Sequence, residues 1–337
     1  MTRRVAILGA TGLVGQTMLR VLEQREFPTD APRLLASDRS ARTLRFRGRE
    51  LPVEAVGPLA FEGVEIALFA VANDVSERWA EPAQAAGARV VDNSSAFRYH
   101  DAVPLVVPEV NGALLDARPT LVANPNCSTI AIVLALAPLA TAARLERVAV
   151  ATYQSASGGG AETLADLESG VRLGLDGPPP PRAGGLPPLA FNVVPHIDRF
   201  ESNGYSREEM KIVWETRKIL GLPALPLTAT AVRVPVRVGH SAAVNARFDR
   251  PLSPEEARAL WSRFPGIEVV DDPLRGRYPT PLAAAGRDEV LVGRARRDLS
   301  QPNALEFFVA SDNLRKGAAL NAVQIAEALC REGARAR

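Results

Sequence analysis

Val5 to Leu8 is a short apolar run, broken at once by Gly9, Gly12 and Gly15 and followed by Leu13, Val14, Met18, Leu19 and Leu22 at helical spacing. The pattern predicts a buried parallel strand that turns directly into an amphipathic helix. Arg33 to Ala36, Ile66 to Val71 and Arg89 to Asp92 read as further strands, with a helix over Val75 to Ala86 between the last two. Strand and helix in alternation predict a parallel α/β sheet, because parallel strands need a crossover and a helix supplies it. Leu121 to Ala123 is another short strand. It runs through Asn124-Pro125-Asn126-Cys127 to Ser128, read as the cap of an apolar helix from Thr129 to about Leu139.

Beyond that helix the periodicity changes. Val148 to Ser155 is strand-like, Gly158-Gly159-Gly160 reads as a flexible break, and Gly177 to Pro188 packs six prolines into twelve residues, a loop. Thr228 to Phe248 alternates partially, as one long antiparallel strand or two consecutive ones would. A second, α+β domain is therefore expected. The last helix is predicted from near Asp312, with Leu314, Ala318, Ala322, Val323, Ile325 and Leu329 on one apolar face that returns to the first domain. The expected division is a Rossmann-type nucleotide-binding domain over 1–127, completed by 312–337, and a catalytic domain over 128–311.

The length of 337 residues agrees with two domains. With 47% hydrophobic and 23% charged residues, the composition excludes a disordered or collagen-like chain. Basic and acidic residues nearly cancel, at 40 against 38, and Lys211, Lys218 and Lys316 are the only lysines among the 40. Such an arginine skew reads as coding bias. With no basic run and no apolar stretch near ~20 residues, neither a nucleic-acid nor a membrane partner is expected. Arg3 and Arg4 precede the apolar start as in a signal peptide, but the run is too short for a signal core, so a cytoplasmic protein is expected. Two cysteines, Cys127 and Cys330, cannot build a disulfide framework and point to a reducing compartment. No metal site is expected.

Gly9-Ala10-Thr11-Gly12-Leu13-Val14-Gly15 is G-x-x-G-x-x-G after a strand and at the start of a helix. There the backbone N–H groups and the helix N-terminus can hold a pyrophosphate that glycines let approach closely. The plainer alternative is a tight turn that binds nothing. Ser37-Asp38-Arg39-Ser40, after the second strand, offers both cofactor chemistries: Asp38 suits the ribose hydroxyls of NAD, Arg39 and Ser40 the 2′-phosphate of NADP. Arg42 adds to the positive field, and NADP is preferred.

Cys127 stands where a helix begins. The partial positive charge of a helix N-terminus stabilises a thiolate, the form that attacks carbonyls. A nucleotide fold followed by such a thiol suggests addition to an acyl group or aldehyde, with hydride exchange at the adduct. Most free cysteines are small buried hydrophobes instead, which is the reading given to Cys330 on its apolar helix.

The glycine loop, Asp92-Asn93-Ser94-Ser95-Ala96-Phe97-Arg98, Asn124 to Thr129, Tyr153 to Gly158, Phe191 to His196, Glu208 to Lys211, Arg233 to Val236 with His240-Ser241, and Ser311 to Ala318 occur in one order along nearly the whole chain. Together they resemble the aspartate-semialdehyde dehydrogenase family. The resemblance implies NADPH-dependent reduction of L-aspartyl 4-phosphate to L-aspartate 4-semialdehyde and phosphate, in lysine, threonine and methionine synthesis, by a homodimer built through the second domain. It makes Cys127 the acyl-thioester nucleophile, Gln154 a residue orienting the acyl group, and His240 the acid–base residue, a role that an ordinary pKa near ~6.5 would suit. Arg233 would grip the substrate α-carboxylate, Glu208 its amino group, and Lys211 with Arg98 the phosphate. Gly9, Thr11, Gly12, Leu13, Val14, Gly15, Arg39, Ser40, Ser157, Gly158 and Asn313 would contact the cofactor.

Taken without the resemblance, Glu208 and Lys211 are a common exposed ion pair on a helix capped by Ser206, and His240 a plain hydrogen-bonding residue. Trp214 and Ala242 depart from the family pattern. The nearest rival chemistry is that of N-acetyl-glutamyl-phosphate reductase, which the surroundings of Cys127 and of Arg233 to His240 fit less well. A non-catalytic homologue is disfavoured because Cys127, Gln154, Arg233 and His240 are all present.

Overall fold

The computed structural model describes residues 2–37, 42–175, 177–182 and 185–331. Two compact units form: residues up to Asn126 with those from Ala318 onward, and Cys127–Gly317.

In the first unit, β1 (Val5–Leu8), α1 (Leu13–Gln24), β2 (Arg33–Ala36), β3 (Thr43–Phe46), β4 (Arg49–Ala55), β5 (Ile66–Phe69), α2 (Asn73–Ala85), β6 (Arg89–Asp92), α3 (Pro108–Asn111) and β7 (Leu121–Ala123) follow in turn. They build a seven-stranded sheet in the order β3-β4-β2-β1-β5-β6-β7, parallel except where β3 returns antiparallel along β4. The β3–β4 hairpin escaped the sequence reading because its strands alternate charged and apolar residues at an edge, with burial confined to Phe46 and Val53. Strand burial on both faces explains why β1 is apolar throughout. Val5 and Ile7 pack with Met18 and Leu22 on one face, whereas Ala6 and Leu8 pack with Phe61, Phe69, Ala80 and Ala83 on the other.

The second unit contains α4 (Cys127–Ala142), β8 (Leu145–Gln154), α5 (Gly160–Leu173), α6 (Arg207–Leu220), β9 (Leu227–Arg233), β10 (His240–Phe248), α7 (Pro254–Arg263), β11 (Ile267–Val269), α8 (Pro281–Ala284), β12 (Val290–Arg297) and β13 (Ala304–Ser311). Its mixed sheet runs β11-β12-β13-β10-β8-β9. The stretch expected as one or two antiparallel strands is two, and they are not neighbours: β8 lies between them, parallel to β9 and antiparallel to β10. Every residue of α4 from Ser128 to Leu139 is buried, and the Trp261 indole donates to the Ala135 carbonyl at 2.8 Å.

Two predicted boundaries shift. The apolar helix begins at Cys127, so Ser128 lies inside it rather than capping it. The closing helix does not begin at Asp312. Arg315–Ala319 form a π-type turn first, and α9 (Leu320–Cys330) follows, with Val323, Ile325 and Leu329 in the cluster that holds α1. The triple glycine is not an open break either: Ala156–Gly159 make a short 3-10 turn that leads into α5.

Ser206 caps α6 as expected. Its hydroxyl accepts from Glu209 N at 3.3 Å while the Glu209 carboxylate accepts from Ser206 N at 2.7 Å, a reciprocal capping box. Both residues are buried, so Ser206→Ala is expected to lower unfolding free energy by about 1–2 kcal/mol, read from urea denaturation.

Candidate active site

The parallel strands β8 and β9 end side by side at Gln154 and Arg233, which are register partners. Antiparallel β10 starts beside them at His240, itself opposite Ser311 at the end of β13. Four strand ends therefore bring Gln154, Ser155, Arg233, His240, Asp312 and Asn313 to one end of the second sheet.

His240 is buried, and its Nδ1 lies 3.0 Å from both the backbone nitrogen and the hydroxyl of Ser155. A main-chain N–H can only donate, so Nδ1 accepts and the ring proton sits on Nε2. That Nε2 is buried without a hydrogen-bond partner. The site facing it is kept open by Gly158, where an added Cβ would stand 2.8 Å from Nε2 and 3.0 Å from Arg233 Nη1. The expected ordinary pKa near ~6.5 is corrected here: burial, with the Arg233 charge adding to it, lowers His240 to about 3. The imidazole is thus neutral at physiological pH, a donor through Nε2. Unfolded, the same ring binds its proton near pH ~6.5. Between that pH and about 3 the unfolded chain holds the extra proton, so stability falls as pH falls. His240→Asn is expected to remove up to about 1.4 kcal/mol per pH unit of that slope, measured by urea unfolding at a series of pH values.

Arg233 is buried and donates from Nη1 to the Ser155 carbonyl at 2.7 Å. Burial draws its pKa down, opposed by the charges of Glu208 and Cys127, and a guanidinium stays cationic regardless. Among the described residues no carboxylate lies within ion-pair distance of it. Ser155 thus holds both the histidine and the arginine, and its hydroxyl also lies 3.1 Å from Asn313 Oδ1. Asn313 Oδ1 further accepts from Gly239 N at 2.8 Å, and its amide engages the Ser157 hydroxyl at 3.0 Å.

Cys127 is the half-buried first residue of α4 and interacts electrostatically with Arg233. The π-type turn is pressed against it: a Cβ on Gly317 would stand 3.1 Å from Cys127 Cβ. Asp312 fixes that turn by accepting from the N–H groups of Leu314 and Arg315 at 2.8 and 3.0 Å.

A second chain of contacts starts at Gln154, whose amide donates to Glu208 Oε1 at 3.0 Å while its oxygen accepts from Thr152 at 3.0 Å. Glu208 Oε2 lies 3.1 Å from Lys211 Nζ, which also reaches Asp198 at 2.8 Å. Burial alone would lower Lys211, but the two carboxylates raise its pKa above the usual ammonium value. This is not the exposed ion pair that helical spacing alone would suggest, because Glu208 is 5% exposed. Trp214 lies under the Arg207 guanidinium at 4.7 Å, and Ala242 is buried in β10 between Thr152 and Val309.

In the first unit, Gly9 has φ of 86°, and a Cβ there would stand 2.3 Å from the Ala70 carbonyl. A Cβ on Gly15 would stand 2.2 Å from Gly9 O, so both glycines are fixed by close approach. Gly12 precedes α1 without a side-chain cap, and the first turn, which contains Leu13, Val14 and Gly15, carries no acid. Its N–H groups and partial charge are left for an anion such as a pyrophosphate, as the cofactor of a G-x-x-G-x-x-G loop requires. Arg98, after β6, is buried and donates to the Asn93 carbonyl at 2.7 Å. Arg39 and Ser40 lie outside the described residues.

The structure thus groups Gln154, Glu208 and Lys211 in one hydrogen-bonded chain, and Arg233, His240, Ser157, Gly158 and Asn313 around Ser155. The sequence reading missed Ser155, Thr152, Asp198 and Asp312. Ser155 and Asp312 stood inside quoted motifs, but nothing in residue type distinguished the backbone N–H and C=O of Ser155, or the turn-holding carboxylate of Asp312, as the groups that matter.

A glycine-loop nucleotide fold in one unit, with a helix-start thiol, a buried arginine and a neutral histidine in the other, fits a nicotinamide-dependent oxidoreductase. Residues 4–117 match the family model described as semialdehyde dehydrogenase, NAD binding domain, and residues 136–316 that described as semialdehyde dehydrogenase, dimerisation domain. The chain is 47% identical to an aspartate-semialdehyde dehydrogenase of Aquifex aeolicus over 98% of both chains. A crystal structure of aspartate semialdehyde dehydrogenase II complexed with ASA from Vibrio cholerae superposes with a TM-score of 0.94 at 44% identity, covering 98% of this chain and 99% of that one. The enzyme with NADP from Candida albicans gives a TM-score of 0.76 at 26% identity over 98% of each. The chain belongs to the aspartate-semialdehyde dehydrogenase family.

Proposed function

We propose that the protein reduces L-aspartyl 4-phosphate to L-aspartate 4-semialdehyde and phosphate with NADPH, serving lysine, threonine and methionine synthesis in the cytoplasm. Arg233 carries the reading: a buried cation without an ionic partner among the described residues is costly unless a ligand carboxylate neutralises it. The substrate α-carboxylate meets that need, and Glu208 takes the α-amino group.

In this reading the Cys127 thiolate, sustained by the α4 N-terminus and the Arg233 charge, attacks the acyl carbon. Phosphate leaves toward Lys211, the residue that shares this role with Arg98 in the family pattern, and an acyl thioester remains. Gln154 orients the acyl group. Bound NADPH supplies the hydride. The Nε2–H of His240 donates a hydrogen bond to the oxygen that gains charge, which stays a tetrahedral alkoxide on the Cys127 sulfur. When that adduct collapses, the C–S bond breaks, the aldehyde carbonyl forms and Cys127 leaves as thiolate. A donor pre-set on a neutral ring stabilises the developing oxyanion without first having to reorganise. Preference for NADP rests on Arg39 and Ser40, and the glycine loop with Ser157, Gly158 and Asn313 is assigned to the cofactor.

We also assign the homodimer contact to the open face of the second sheet. Ala149, Ala151, Tyr153, Ala243 and Phe308 are half-buried or exposed there, with the Tyr153 and Phe308 rings stacked at 6.0 Å. A small-residue and aromatic sheet face suits burial against a second copy.

The test is phosphate-dependent reduction of NADP by aspartate semialdehyde, with N-acetylglutamate semialdehyde and NAD as controls. Faster turnover of the acetylated substrate would overturn the substrate assignment. Equal or better use of NAD would overturn that of the cofactor.

A further inference from the structure

Asp198 lies in the segment before α6 with φ of 67°, a left-handed backbone uncommon outside glycine. Its Oδ1 accepts from Arg199 N at 2.8 Å, and its Oδ2 receives Lys211 Nζ at 2.8 Å. Lys211 is shared with Glu208 at 3.1 Å, so one ammonium sits between two carboxylates and the cluster carries one net negative charge. The two carboxylates are not equivalent. Glu208 is buried and tied to Gln154, whereas the Asp198 side chain is 36% exposed. Asp198 faces a cavity of about 250 Å³ lined also by Arg182, His196, Arg199 and Arg233.

The inference rests on the reading that Lys211 receives phosphate. Arg182, Arg199 and Arg233 make the cavity attractive to a phosphate dianion, but the Lys211 ammonium is held by two carboxylates, and phosphate pairs with it only when one of them lets go. Asp198 is the one with solvent to move into. We propose that Asp198 is a resident counter-ion of Lys211: it holds the ammonium in place while phosphate is absent, competes with phosphate for it, and so sets how tightly the enzyme holds that ion. The pairing keeps Lys211 charged and lowers the Asp198 carboxyl despite its partial burial, so both groups are ionised at neutral pH. No covalent step is involved, only an exchange of one anion for another on the same ammonium.

The test is steady-state kinetics in the direction that consumes inorganic phosphate, with full-length enzyme. Asp198→Asn keeps an acceptor for Arg199 N and a residue type that tolerates the left-handed backbone. It is expected to lower KM for phosphate about threefold to tenfold, with KM for aspartate semialdehyde unchanged. Asp198→Gly, which removes the carboxylate at no backbone cost, is expected to do the same. A loop that is merely loosened would instead raise both KM values and lower Tm. A phosphate KM that is unchanged or raised in both variants overturns the proposal. Lys211→Ala separates the two layers: if it leaves the phosphate KM unchanged, the phosphate role of Lys211 is wrong and the competition falls with it. If it raises that KM while the Asp198 variants do nothing, only the competition is wrong.

Discussion

Cys127→Ala is expected to lower kcat for the phosphate-dependent reaction by at least about 10⁴-fold while the protein stays folded. The size follows from what is removed. No other nucleophile is available at the start of α4, because neighbouring Ser128 is a buried hydroxyl on the next helical position. Without a thioester, hydride has no acyl carbon to reduce, and binding by Arg233 and Glu208 cannot compensate. Folding is expected to survive, since alanine keeps the Cβ that Gly317 already accommodates. Activity from purified variant, together with far-ultraviolet circular dichroism, decides it. Turnover within a hundredfold of the parent enzyme would sink the thioester mechanism.

Arg233→Lys is the second large effect, an expected loss of about 10³-fold in kcat/KM. Both residues are cations, so a role that needed only charge would survive. Arg233 does more: one guanidinium nitrogen holds the Ser155 carbonyl at 2.7 Å, leaving the others for the substrate carboxylate. Ser155 in turn holds His240 through its backbone N–H at 3.0 Å. A lysine has a single nitrogen for both tasks, and at this depth burial favours its neutral form. The loss is expected in kcat as well as KM, since the His240 donor shifts with Ser155. A rise in KM alone would mean that Arg233 binds substrate without orienting the His240 donor.

Much of the first unit could be read from periodicity because parallel strands buried on both faces are short apolar words between helices. Arg33–Ala36, Arg89–Asp92 and Leu121–Ala123 are observed as predicted. What escaped was structure whose signal is spread between distant residues. The β3–β4 edge buries only Phe46 and Val53 and so leaves no apolar run, and the separation of β9 from β10 depends on β8 entering between them, which no local pattern encodes. At the candidate site Cys127 drew notice from its place at a helix start, whereas Arg233 and His240 were singled out through the family resemblance and not by residue type alone. The protonation of His240 was not legible. It depends on a backbone N–H some eighty positions away and on burial beside a cation, so an ordinary pKa was the reasonable expectation and the wrong one. Asp198 was silent for a similar reason: its place beside Lys211 comes from a turn with positive φ, not from helical spacing.

Helix α9 completes the first unit although it follows every other described element along the chain. Val323, Ile325 and Leu329 fill the same cluster as Met18 and Leu22, and the whole of Cys127–Gly317 is translated between them. On the ribosome, therefore, the nucleotide-binding half emerges first and finishes last, with one face of its sheet uncovered while the continuous half already has every strand it needs. A chain cut short before residue 320 lacks the helix that closes that face. It leaves the thiol-bearing half whole and the older-emerging half exposed to aggregation and proteolysis.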